Sequence, residues 1–156
     1  MSFKGVFKQP KLWLTKFVRQ LSQAASEVPR PVRIVLMNSS GNAYTNHGDK
    51  VSLIGRIVLT ALYYLLPPHK DNVEAAKALL SHSQDTYSNA CIVRPGSLTN
   101  HPEVTQYKTR RINDKCPITE DGKVSRINVA DFMAKLLCHN ETWDLWENSH
   151  PLIYND

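Results

Sequence analysis

Apolar and polar positions fall into blocks whose periods change along the chain. Leu12, Phe17, Leu21 and Ala24 recur at the spacing of one helical face, which predicts a helix over residues 10–26. Pro10 suits its first turn, where a missing N–H costs nothing, and Pro29 and Pro31 end it. The run Val32–Met37 is apolar on both faces apart from Arg33, the pattern of a strand buried inside a parallel sheet. A loop of small polar residues, Asn38–Asn42, follows it directly.

A second amphipathic helix is predicted over 51–66, stopped by Pro67 and Pro68. A third runs to about Ser83, with Asp71 or Asn72 as its cap and Glu74 in the first turn, where the helix dipole favours an acid. Ala90–Arg94 reads as the next strand, ended by Pro95 and Gly96. Residues 97–123 read as loop with some extended structure. Asn128 is the predicted cap of a helix to about Cys138. Trp143 and Trp146, three residues apart, mark a helical face that packs onto the sheet. Pro151–Tyr154 reads as a closing strand.

Strands alternating with helices, the strands apolar on both faces, predict an α/β fold: a doubly wound parallel sheet with helices on both faces. In such sheets ligands sit at the carboxyl ends of the strands. Two segments fall at such ends, Asn38–Gly41 and Pro95–Leu98, and both are rich in small and polar residues. No internal repeat or low-complexity segment interrupts the pattern.

Composition narrows the class. The chain has 156 residues, 42% hydrophobic and 21% charged, which suits one domain with a real core. Its net charge of +5 is concentrated at the start. Lys4, Lys8, Lys11, Lys16, Arg19, Arg30 and Arg33 face a single acid, Glu27, within residues 1–33. Such a segment could meet phosphates, an acidic partner or a membrane surface; the plainer reading is a solvated helix face. A nucleic-acid role lacks aromatic interleaving there. The longest apolar stretch, around Ile54–Leu66, is too short and too polar to span a bilayer.

Cys91, Cys116 and Cys138 are an odd, widely spaced set, so reduced thiols in a cytoplasmic protein are expected rather than a disulfide or a zinc site. The histidines, His47, His69, His82, His101, His139 and His150, include no pair at metal-ligand spacing with an acidic partner, so no metal is expected.

Four segments together carry a family resemblance. Ile92–Leu98 (IVRPGSL) resembles the Arg-Pro-Gly strand end of atypical short-chain dehydrogenase/reductases, relatives of flavin reductase and of the NmrA-like regulators. Val35–Gly41 (VLMNSSG) resembles the strand and loop carrying that family's Ser/Thr position. Lys70–Ala76 (KDNVEAA) resembles the start of the helix preceding the Arg-Pro-Gly strand. Val124–Met133 (VSRINVADFM) resembles the family's late helix. The four occur in the family's order over residues 32–138.

The resemblance implies an NAD(P)-binding, oxidoreductase-like protein, with NADP or NAD as cofactor and a small-molecule substrate it does not name. It implies that Asn38, Ser39 and Ser40 face the nicotinamide or the substrate. The competing reading is that they close a turn. Pro95, Gly96, Ser97 and Leu98 would lie along the nicotinamide, and Lys70 would hold a ribose hydroxyl. Ser39, Ser40 and Lys70 are the candidate catalytic residues. Arg94 is expected to order nearby loops, and Arg126 to pair with Asp131 or a backbone carbonyl.

The chain also departs from the family pattern. The glycines, Gly5, Gly41, Gly48, Gly55, Gly96 and Gly122, include no G-x-x-G-x-x-G, and no Tyr-x-x-x-Lys occurs, since Tyr63 and Tyr64 precede Lys70 by seven and six positions. The expectation is a domain over 1–156 that lacks the first strands of its sheet, with weakened cofactor binding and an apolar sheet edge that favours a homodimer or a missing N-terminal half. The alternative is a non-catalytic NAD(P)-binding regulatory or interaction protein.

Overall fold

The computed structural model describes residues 12–45, 48–83, 88–113 and 122–155. The expected positions of Pro10, His47 and Cys116 lie outside these. In chain order the elements are α1 (Trp13–Ser26), β1 (Val32–Met37), α2 (Leu53–Leu65), α3 (Pro67–Ser83), β2 (Ser88–Pro95), β3 (Ser97–Thr99), β4 (Tyr107–Arg110), β5 (Lys123–Ser125), α4 (Arg126–Cys138), α5 (Asn140–Trp146) and β6 (Leu152–Asn155).

The main sheet has the order β1-β2-β6-β4. β1 pairs parallel with β2 from Val32 opposite Ser88 to Met37 opposite Val93, and β2 pairs parallel with β6. β4 pairs antiparallel with β6 at the edge, and β3 and β5 form a separate two-stranded parallel sheet. The predicted α/β class with a parallel-dominated sheet is therefore present, and the extended structure expected within residues 97–123 is β3 and β4, with β5 beginning at Lys123.

Alternation along the strands builds two cores, one on each face. Ile34, Ala90 and Ile92 pack with Val18 and Ala25 of α1 and Leu79 of α3. Cys91, Val93 and Ile153 pack with Phe132 and Leu136 of α4 and Trp143 of α5. Trp143 and Trp146 are both buried against the sheet side, as their spacing predicted. Arg33, the one charge in β1, donates to the Leu137 carbonyl and to Asn140 Oδ1, and stands 5.2 Å from the Trp143 ring centre. Its guanidinium thus sits over the indole face as a cation on an aromatic ring.

Three helix starts differ from the sequence expectation. α3 begins at Pro67, not at Asp71: proline's fixed φ suits a first helical position, and only Leu66 separates it from α2. Asp71, inside α3, caps a different helix. Its carboxylate accepts from the Leu14 and Thr15 N–H groups at 2.8 and 2.9 Å and from Thr15 Oγ1 at 2.7 Å. α1 needs this because Leu12 at its N-cap has no side-chain acceptor. Ser125, not Asn128, caps α4 by accepting from the Asn128 N–H. Glu74 is correspondingly in the second turn of α3 and accepts from Tyr63 Oη and Lys77 Nζ.

Candidate functional site

β1 does not stop pairing at Met37. The Asn38 N–H donates to the Val93 carbonyl at 2.8 Å and the Ser40 N–H to the Pro95 carbonyl at 2.9 Å. Asn38, Ser39 and Ser40 thus run alongside the end of β2, next to Pro95 and Gly96. The two strand ends singled out in the sequence adjoin each other at the carboxyl edge of the sheet, the ligand edge of such folds.

Asn38 is only 8% exposed. Its Nδ2 donates to the Asn72 carbonyl at 2.9 Å, tying the strand end to α3. Its Oδ1 is buried without a hydrogen-bond partner, an unsatisfied acceptor of the kind that marks a place for a ligand or water. Ser39 Oγ accepts from the Gly41 N–H at 3.2 Å and so closes the turn. Ser40, Pro95 and Gly96 are buried, whereas Ser97 and Leu98 are exposed beside them. The Gly96 and Ser97 N–H groups are spent on the Ile153 and Gly122 carbonyls.

Lys70 stands apart from this group. Its Nζ lies 5.3 Å from the Tyr63 ring centre, and it lines a cleft of about 240 Å³ with Leu12, Tyr63, Tyr64 and Pro67, none of them strand-end residues.

Sequence reasoning missed the cavities that open beside the strand end. One of about 330 Å³ is lined by Gly41, Asn42, Leu59, Thr60, Tyr63 and His69, among others. A second of about 320 Å³ adjoins it through Asn42, Ala43, Val73 and Lys77. His69 lines the first, and burial lowers its pKa below the ordinary imidazole value. No spacing rule could have found these walls, because they come from α2, α3 and the loop between β1 and α2.

The loop is held by Arg94, as expected, but through a partner the sequence did not suggest. Arg94 is fully buried at the end of β2. Its Nε donates to the His150 carbonyl, and its Nη1 to the Asn42 carbonyl and to Asp49 Oδ2, the last at 2.5 Å. Asp49 also accepts from the Asn113 and Tyr44 N–H groups. Burial alone would raise the Asp49 pKa; the hydrogen bonds from Arg94, Asn113 and Tyr44 outweigh it and hold the carboxyl below its ordinary value. Tyr44 stacks on His150, and burial pushes its phenol up to about 12 despite the nearby Arg94 charge. Arg126 bonds Asn100 Oδ1 rather than Asp131, whose carboxylate is taken by Tyr107 Oη and Lys135 Nζ.

Residues 8–140 match the NAD(P)H-binding family profile. The chain belongs to the NAD(P)H-binding family, a Rossmann-like class, as its parallel sheet and strand-end loops already indicated. No curated protein matches the chain. Among solved structures it is similar to a short-chain dehydrogenase/reductase from Veillonella parvula in complex with NADP, with a TM-score of 0.57 and 17% identity over 90% of this chain and 58% of that one. It is also similar to the anaerobillin reductase ChuY from Escherichia coli O157:H7, with a TM-score of 0.57 and 18% identity over 88% of this chain and 56% of that one. A third is the oxidoreductase ylbE from Lactococcus lactis, with a TM-score of 0.56 and 18% identity over 89% and 52%. At these identities the likeness is one of fold, and the chain spans between 52% and 58% of the length of these three proteins. No helix among the described residues is long and apolar enough to cross a membrane.

Proposed function

We propose that this chain is an oxidoreductase-like protein, acting as one domain, that binds NADP or NAD at the carboxyl ends of β1 and β2. The observation that carries the reading is the pairing of Asn38–Ser40 against the end of β2. It puts two small-residue strand ends side by side, with the unpartnered Asn38 Oδ1 between sheet and α3. These residues suit the nicotinamide half of a dinucleotide. Asn38 offers an acceptor to a carboxamide N–H, Pro95 and Gly96 offer a flat wall, and Ser97 and Leu98 are open to it. The described glycines include no phosphate-gripping loop, so the affinity is expected to be below that of a complete dinucleotide site.

The cofactor, when bound, supplies hydride chemistry, and the chain's part is to bind and orient. The cavity lined by Leu59, Thr60, Tyr63 and His69 opens at the same strand end and is the proposed substrate pocket. Lys70 reaches a ribose hydroxyl in this reading only by leaving the Tyr63 ring. The free thiols of Cys91 and Cys138 suit a reducing, cytoplasmic setting.

A second reading, binding without turnover, has its own support. Tyr63 Oη donates to Glu74, which raises the phenol pKa, and Ser39 Oγ is used by the Gly41 N–H. Both hydroxyls are committed to structure.

Titration with NADPH, followed by nicotinamide fluorescence, tests binding. A Kd of roughly 10–100 μM is expected. Ser97→Trp, at an exposed position, should abolish it without lowering the melting temperature. Absence of binding up to about 1 mM overturns the assignment. Oxidation of bound NADPH by any carbonyl, quinone or flavin acceptor separates turnover from mere binding.

A further inference from the structure

α2 is built the wrong way round for a helix of a water-soluble surface. Soluble helices turn their apolar stripe inward. Here Leu53, Ile54, Ile57, Ala61, Tyr64 and Leu65 fall within about 120° of arc at 100° per residue, and all face solvent. The large side chains of the stripe are 63–76% exposed, and Gly55 is the one buried residue of the helix. Single exposed apolar residues are ordinary; a continuous stripe of this kind marks an interaction surface.

α1 adds to it. Trp13, Phe17 and Leu21 lie on one exposed stripe, with Trp13 and Phe17 stacked at 6.1 Å. Leu12, at the start of α1, shares a cleft with Tyr63 and Tyr64 at the end of α2, so the two stripes approach each other there.

The charges on these helices identify what covers them. α1 and α2 carry Lys16, Arg19 and Arg56 and no acid at all. Arg56 and Thr60 flank the α2 stripe on one side, and Lys16 flanks that of α1. A second copy of the chain would set like charges against one another across the apolar contact. An anionic lipid surface supplies the complement: acyl chains for the stripe and headgroups for the flanking cations, with Trp13 and Tyr64 at the depth aromatic side chains favour.

We propose that α2, with the exposed stripe of α1, lies flat on anionic membrane surfaces, its Leu53–Leu65 face buried among the lipids and Lys16 and Arg56 at the headgroups. The contact is peripheral and reversible, and it weakens with salt.

The test is co-sedimentation of the full chain with vesicles of phosphatidylcholine alone and with 30% phosphatidylserine, together with tryptophan fluorescence. Trp143 and Trp146 are buried, so a blue shift on vesicle addition reports Trp13. Binding and a blue shift are expected with the phosphatidylserine vesicles and not with the neutral ones. I54E/I57E, at solvent-facing positions, should lower binding roughly tenfold or more with an unchanged melt. R56Q should lower it roughly fivefold, the value of one cation near such a surface. Equal binding to both vesicle types, or none to either, overturns the proposal. So does a dimer, seen by light scattering without lipid, that I54E/I57E dissolves, since a second copy would then be the occupant.

Discussion

Replacing Asp49 by alanine probes the joint on which the strand-end site depends. The carboxylate accepts from Arg94 Nη1 at 2.5 Å, Arg94 Nη2 at 3.5 Å, the Asn113 N–H at 2.6 Å and the Tyr44 N–H at 2.8 Å. Its side chain is 1% exposed, and that of Arg94 is 0% exposed. Truncation leaves a buried guanidinium with only the His150 and Asn42 carbonyls, and strands two backbone donors. Uncompensated burial of one partner costs about 3–5 kcal/mol. Each stranded donor would add about 1–3 kcal/mol if the loop did not rearrange. Since the loop can open to water, about 4 kcal/mol is the expected total, a large share of the stability of a domain worth about 5–15 kcal/mol.

Urea unfolding followed by the fluorescence of Trp143 and Trp146 measures it. Asp49→Asn keeps the shape and one of the two acceptor oxygens, while its Nδ2 faces donors, so it should lose less than Asp49→Ala and remain folded for comparison. Lys135→Ala, which removes a partly exposed pair with Asp131, should cost under about 1 kcal/mol. A loss under about 1 kcal/mol for Asp49→Ala as well would refute the reasoning, because the buried pair would then behave as a surface one.

The same carboxylate predicts a pH dependence. Its folded pKa is depressed, so its contribution is full above the unfolded value of about 4 and is lost as pH falls through the folded value below it. The urea midpoint should drop as pH falls below about 4, and Asp49→Asn should flatten that slope. Asp71→Ala removes the cap of α1 and should cost about 1–2 kcal/mol in urea unfolding, with the loss concentrated in amide protection of α1. Burial pushes the Cys91 thiol up to about 12, partly offset by a hydrogen bond with Ser149. Peptide mapping after alkylation should therefore find Cys91 unmodified in the native protein and Cys138, which is exposed, modified; equal labelling would contradict the buried placement.

Much of this architecture is legible in the sequence because burial on both faces leaves a signature. Val32–Met37 and Ala90–Arg94 are apolar apart from Arg33 and Arg94, and the two runs pair as neighbouring parallel strands. Asn38–Ser40 and Pro95–Leu98 could be placed at one edge because parallel strands end on the same side. What was not legible is tertiary. Asp71 looks like a local cap and serves a helix 56 residues earlier. Asn128 looks like a cap but is buried, donating to Thr105 Oγ1 and Asn155 Oδ1, while the adjacent Ser125 does the capping. Arg94 could be read as ordering nearby loops, yet nothing in the local sequence singles out Asp49, 45 positions away. The exposed stripe of α2 carries the same pattern as a buried one, since periodicity gives the width of an apolar face and not the side it turns to.

Hydrogen–deuterium exchange with and without NADP tests the central claim most directly, because it reports where the cofactor sits as well as whether it binds. Slowed exchange at residues 38–42 and 95–99, with α4 and α5 unchanged, is the predicted result. Protection confined to other segments, or none at saturating NADP, would contradict a cofactor site at the carboxyl ends of β1 and β2.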